Sequence, residues 1–180
     1  MNSYFRRQLA EYADSHRDDV NRLMHIIGNP ILALGAFLPF SLLPVTLFGV
    51  HLNAAMLLVI PALIVWIAFD LAIGLAIVVS AIPLLLAAAV IVDHVSVGWV
   101  CIITILLTVI GWAMQIVGHQ VFEGRKPSLL DNPTHMLMSP MYIFAKLYIA
   151  LGFRPDLVAI LGKSPEPAPL YEGDGPADLG

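Results

Sequence analysis

The chain has 180 residues, of which 59% are hydrophobic and 12% charged, and its mean hydropathy is +0.85. Soluble globular proteins carry about a quarter charged residues, so this composition excludes an ordinary soluble domain and indicates an integral membrane protein, with one domain expected over residues 1–160. The formal net charge of −4 says little, because the charges are segregated along the chain, and no nucleic-acid partner is expected.

Residues 1–25 are polar, with neither an apolar signal core nor a small-residue cleavage site, so the first membrane segment is expected to act as its own insertion signal. Tyr4, Phe5, Leu9 and Tyr12 recur at helical spacing among Arg6, Arg7, Glu11 and Asp14, which predicts a helix lying in the membrane interface. Asp18, Asn21 and His25 then share one helical face. His16 and His25 are half a turn out of phase on a straight helix. Both reach one site if the helix breaks between them or if the site lies beyond one end.

The first span is expected over 26–48, kinked by Pro30, Pro39 and Pro44, with a short turn from Gly49 to Asn53. From Ala54 to Val92 the apolar sequence is broken by a single charge, Asp70. One span needs about 20 residues, so this run predicts two spans, 51–69 and 71–92, turning at Asp70. A fourth span is expected over 98–118, with Cys101 as a packing residue within it. Residues 136–152 read as a shallow interfacial helix, and 161–180, rich in Pro, Gly and acids, as a disordered tail. The expected fold is all-α: an integral membrane four-helix bundle with N-terminal and C-terminal interfacial helices.

The Lys and Arg residues fall before the first span, after the fourth and near the C-terminus, and the loops at 49–53 and 93–98 contain none. By the positive-inside rule, the N-terminus, the Asp70 turn and everything after His119 face the cytoplasm, at a bacterial inner membrane or, in a eukaryote, the endoplasmic reticulum. This threading gathers His16, His25, Asp70, His119, Glu123 and His135 at one membrane surface. It sends His51 and His94 across about 30 Å of hydrocarbon, so neither is expected to be a ligand.

The stretch from Gly111 to Pro127, GWAMQIVGHQVFEGRKP, runs from membrane-grade apolar sequence into a basic turn. Gln115, His119 and Glu123 recur every four residues, on one helical face. Such a stripe is costly to bury without partners. Four histidines converging with carboxylates above an apolar bundle have the composition of a metal site, and a hydrogen-bonded structural cluster is the other reading. Histidines with carboxylates and open positions suit non-haem Fe(II), and the ligand types also admit zinc.

Tyr12, His16, Asn21, His25, Gly28 and Pro30, together with GWAMQIVGHQVFEGRKPSLLDN at 111–132, resemble the two halves of a family signature. They are similar to the membrane-bound 2-hydroxy fatty acid dioxygenases, and the resemblance runs from about residue 8 to about residue 154. It implies an Fe(II)-dependent enzyme that removes one carbon oxidatively from a long-chain 2-hydroxy fatty acid, with O2 as co-substrate. On the matching positions, it implies that His16, His25 and His119 are metal ligands, with His135 as a fourth. It implies that Glu123, Gln115 and Asn21 are either ligands or residues supporting them. Asp93–His94 also resembles an Asp-His pair of that family. Arg125 and Lys126 either draw the substrate carboxylate to the site or serve only as topology signals. The competing functions are a zinc-dependent lipid hydrolase or another metal-dependent lipid-modifying enzyme on the same scaffold, and a non-enzymatic membrane scaffold.

Overall fold

The computed structural model describes residues 3–161. Helix α1 (Ser3–Asp14) is followed by α2 (Asp19–Ser41), a hairpin of β1 (Pro44–Leu47) and β2 (Val50–Asn53), then α3 (Ala54–Phe69), α4 (Leu71–His94) and α5 (Val97–Val117). Helix α5 passes directly into a π-helical turn, Gly118–Phe122. A short 3-10 turn at Ser128–Leu130 precedes α6 (His135–Ala150) and α7 (Pro155–Leu161). The architecture is all-helical apart from the hairpin. Beyond Leu161, the expected tail lies outside the described residues.

Among the described residues three helices, α2, α4 and α5, are long and apolar enough to cross a membrane. Helix α3 is apolar but has 16 residues, about 24 Å at 1.5 Å per residue, short of the roughly 30 Å of a hydrocarbon core. The first span also differs from its expected limits. It starts at Asp19 because the Asp18 carboxylate caps it, accepting from the backbone N–H groups of Val20 and Asn21 at 2.8 and 2.9 Å. It runs through Pro30 and Pro39 and stops at Ser41. Pro44 opens a strand instead of the expected continuation, and Val45, Thr46 and Leu47 supply the β-branched and apolar residues that strands favour. The hairpin closes through Phe48 and Gly49, both at positive φ, as tight two-residue hairpin turns require.

Asp70 both ends α3 and starts α4. Its extended backbone breaks the helix, its N–H bonds to the Trp66 carbonyl, and its carboxylate accepts from the Ile73 N–H at 3.1 Å. The Arg154 guanidinium adds a two-pronged bond to the same buried carboxylate, 3.1 Å on each side. Tyr148 donates to the Ala72 carbonyl and Trp66 Nε1 to the Leu137 carbonyl. These bonds tie the C-terminal helices to the α3–α4 turn. The apolar face of α1 (Phe5, Leu9, Tyr12) packs there as well, in one cluster with Met138, Met141 and Leu157.

The N-terminal helix, the Asp70 turn, the π turn and the C-terminal helices therefore share one end of the molecule. The hairpin and the C-terminus of α4 lie at the other, where Leu38, Ala88 and Val100 form a second core cluster. His51 sits in the hairpin against Thr46. His94 ends α4, about 35 Å from its start. Both are remote from the expected site, as the threading required.

Candidate metal centre

The break between His16 and His25 is present. Helix α1 ends at Asp14, α2 begins at Asp19, and residues 15–18 turn the corner. Glu123 fixes that corner. Its carboxylate accepts from the backbone N–H of Arg17 at 2.9 Å, from that of Asp18 at 3.0 Å and from Asn21 Nδ2 at 3.1 Å. The acid thus answers the free donors at the N-terminus of α2, where negative charge is also favoured by the helix dipole.

His119 reaches the corner from the π turn, a wider turn of the kind that often marks functional sites. Gly118 allows the approach: a Cβ there would lie 2.4 Å from Asn21 Oδ1.

The corner brings His16, His25 and His119 together. All three are buried, and one ligand nitrogen from each lies within 4.8 Å of the others. His16 Nε2 and His25 Nε2 face each other at 3.1 Å. Two nitrogens bound to one ion at about 2.1 Å and at 90–110° stand roughly 3.0–3.4 Å apart, so the spacing fits a shared metal.

The other ring nitrogens settle the protonation. His16 Nδ1 lies 2.8 Å from the Tyr12 carbonyl and His25 Nδ1 3.0 Å from the Asn21 carbonyl. A carbonyl only accepts, so each Nδ1 carries the proton and each neutral ring presents a bare lone pair at Nε2. Two lone pairs facing each other in a buried site repel unless a cation joins them. A proton is a poor candidate, because burial, with the neighbouring His25, pushes the His16 pKa down to about 2. His119 Nδ1 is also buried without a partner. The donor set therefore fits a metal, with the Nε2 atoms of His16 and His25 held in place by their opposite nitrogens.

The remaining expected residues separate by role. Gln115 lies one turn before the π turn, and its Nε2 donates to Asn29 Oδ1 at 3.1 Å. Asn21 binds Glu123, and its Oδ1 is buried against Gly118 with no hydrogen-bond partner. His135 stands outside the three-histidine group. Its two ring nitrogens are buried and without hydrogen bonds, and its Nε2 is 3.9 Å from Glu11 Oε2. Burial holds its pKa below the usual histidine range, against the opposing pull of Glu11.

Tyr142, Asn29 and Ser139 escaped the sequence reading, and Tyr12, read there as an interface and signature residue, makes a contact that was not foreseen. The Tyr12 ring stacks on His16, with centroids 3.8 Å apart. Tyr142 donates to the His16 carbonyl at 3.2 Å. Asn29 and Ser139 are hydrogen-bonded at 2.7 Å. The signal for two of them was spacing: Asn29 continues the Asn21–His25 stripe by four residues, and Ser139 follows His135 by four.

The four histidines, Tyr12, Asn29, Gln115 and Ser139 line the polar end of a cavity of about 640 Å³, whose remaining walls are largely apolar and include Leu32, Ala33, Ala36, Leu84 and Phe144. The size falls within the range of small-molecule sites. The arrangement can hold a metal beside a chamber suited to an alkyl chain.

The chain is 46% identical over 56 residues to the 2-hydroxy-palmitic acid dioxygenase MPO1 of Saccharomyces cerevisiae, a match covering 31% of this chain and 32% of the yeast protein. The chain therefore spans about a third of the length of that relative. No solved structure matches it significantly. The family described as 2-hydroxy-palmitic acid dioxygenase Mpo1-like matches residues 2–150, most of the chain. By that match this protein belongs to the Mpo1-like family.

Proposed function

We propose that this protein is an Fe(II)-dependent membrane dioxygenase that shortens long-chain 2-hydroxy fatty acids by one carbon. The observation that carries the reading is the pair of bare Nε2 atoms of His16 and His25, 3.1 Å apart at the polar end of an apolar cavity. The name of the yeast relative supplies the substrate class and the use of O2. His16, His25 and His119 hold the metal. His135, buried beside the same cavity with neither ring nitrogen hydrogen-bonded, is the remaining candidate ligand. When bound, ferrous iron supplies the redox chemistry by which O2 reacts with the substrate.

The chain's own residues do the rest. Glu123 and Asn21 hold the corner that aims His16 at His25. Gln115 anchors Asn29 at the cavity wall. The apolar walls exclude water and take the acyl tail, whose burial stabilises by about 0.8 kcal/mol per CH2. One O2 per substrate balances the reaction: the bond between C1 and C2 breaks, C2 becomes the new carboxyl, and the old carboxyl leaves as CO2 with one water. The four apolar helices, α3 included, form the membrane bundle, with the site end facing the cytoplasm as the basic residues indicate.

The test is oxygen uptake by iron-loaded protein, coupled to detection of the acid one carbon shorter. Uptake that requires a 2-hydroxy acid supports the reading. Absence of uptake across chain lengths contradicts it, and a zinc-loaded protein that hydrolyses lipid instead replaces it.

A further inference from the structure

The cavity carries a second polar feature beside the histidines. Tyr12 of α1, Asn29 of α2, Gln115 of α5 and Ser139 of α6 all line it and form one hydrogen-bonded chain. Gln115 Nε2 donates to Asn29 Oδ1 at 3.1 Å, and Asn29 Nδ2 donates to Ser139 Oγ at 2.7 Å. From the other side, the Tyr12 hydroxyl donates to Ser139 Oγ at 2.8 Å.

Every bond in this chain runs toward Ser139. A serine oxygen has two lone pairs, and the Asn29 and Tyr12 donors occupy both. The Ser139 proton has no acceptor among the described residues. A hydroxyl that accepts two hydrogen bonds is polarised into a stronger donor, and one left unmatched in a nearly buried position is costly. The cavity lining contains no Lys, Arg, Asp or Glu. An acid head group that enters finds no side-chain cation, so neutral donors and the metal must satisfy it. Ser139 sits one tyrosine away from the histidines, since the ring that donates to it is the ring stacked on His16.

We infer that Ser139 donates a hydrogen bond to a carboxylate oxygen of the substrate and so fixes the head group beside His16, His25 and His119. The acyl tail then follows the apolar wall past Ala33, Ala36 and Leu84. This assignment rests on the proposed substrate class. A bond from a polarised hydroxyl to a carboxylate is charge-assisted, stronger than one to a neutral oxygen. Ser139 is thus the residue that prefers an acid to its alcohol counterpart.

The experiment measures binding without turnover. Metal-loaded protein in detergent is titrated anaerobically with a 2-hydroxy fatty acid or with the 1,2-diol of the same length, and affinities are read from the shift of the unfolding temperature. The wild type should bind the acid more tightly than the diol. Ser139→Ala should weaken the acid by about 10–100-fold and leave the diol little changed. Ser139→Thr, which keeps the hydroxyl, should restore the preference. If the alanine variant does not fold, Ser139→Cys answers the same question, because a thiol keeps the volume but is a weak donor. Equal loss for acid and diol, or no loss, would show that Ser139 only ties the helices together and would overturn the assignment. So would a wild type indifferent to the acid. Oxygen uptake on the same samples separates the two ideas. Selective acid binding without turnover contradicts the proposed reaction and leaves the head-group site standing.

Discussion

The Glu123 carboxylate accepts from the backbone N–H of Asp18 at 3.0 Å, joining the end of the π turn to the N-terminus of α2. Arg17 N–H and Asn21 Nδ2 bond to the same group, so all three of its partners are donors. Glu123→Gln turns one oxygen into a donor that opposes them, and Glu123→Ala removes both oxygens. Each should lower metal affinity by roughly 10–100-fold, the usual cost of losing a group that orients ligands. Helical content should persist. Metal retention against a graded chelator, with circular dichroism alongside, checks this; unchanged retention would mean that the corner holds without the acid.

Gly118→Ala should destabilise the protein by about 1–3 kcal/mol. The added Cβ would lie 2.4 Å from Asn21 Oδ1, so the Asn21 side chain must shift and with it the bond from its Nδ2 to Glu123. Gly98→Ala is the control, since a Cβ there meets nothing within 4 Å. The comparison is of unfolding temperatures and bound metal in the two variants, and only Gly118→Ala should lower both.

Arg154→Met strands the Asp70 carboxylate, which is 6% exposed, with the α4 N-terminus as its remaining support. Breaking a buried pair from one side costs about 3–5 kcal/mol. Arg154 is partly exposed and also bonds Asp156, so the lower end of that range is expected. Asp70→Asn combined with Arg154→Met should recover part of the loss. Detergent unfolding of the single and double variants measures the difference; additive losses would deny the coupling.

Acid should destabilise the metal-stripped protein. His16 stays neutral in the folded state down to about pH 2, whereas it protonates near 6.5 once unfolded. The unfolded state therefore binds more protons across that window, and stability falls as pH drops below about 6.5. His16→Gln should flatten the slope. Unfolding of chelator-treated protein between pH 7 and pH 4 checks the sign, and a flat wild-type profile would contradict it.

Much of this organisation was legible in the sequence because it follows from spacing. The nine-residue offset of His16 and His25 required a break, and residues 15–18 provide it. Asp70, a lone charge in a long apolar run, could only be a turn. Glu123 was expected beside the histidines as a ligand or a supporting residue, but its partners at the Asp18 corner were not foreseen. Helical spacing puts it in line with His119, whereas the π turn inserts an extra residue per turn and leads it to the Asp18 corner. Asn29 and Ser139 lay inside apolar stretches read as spans or interface helix, where a polar residue should have been taken as a site marker. The hairpin was missed because Pro39 and Pro44 read as kinks of one helix. His135 was expected as a fourth ligand on its shared membrane face and the family resemblance; the structure brings it to the cavity but leaves it beside Glu11 and outside the three-histidine group.

Metal content tests the central claim most directly. Protein purified anaerobically should contain iron, and His16→Ala, His25→Ala and His119→Ala should each lose it while His51→Ala and His94→Ala retain it. Wild-type protein free of iron, or iron that survives loss of His119, would contradict the account.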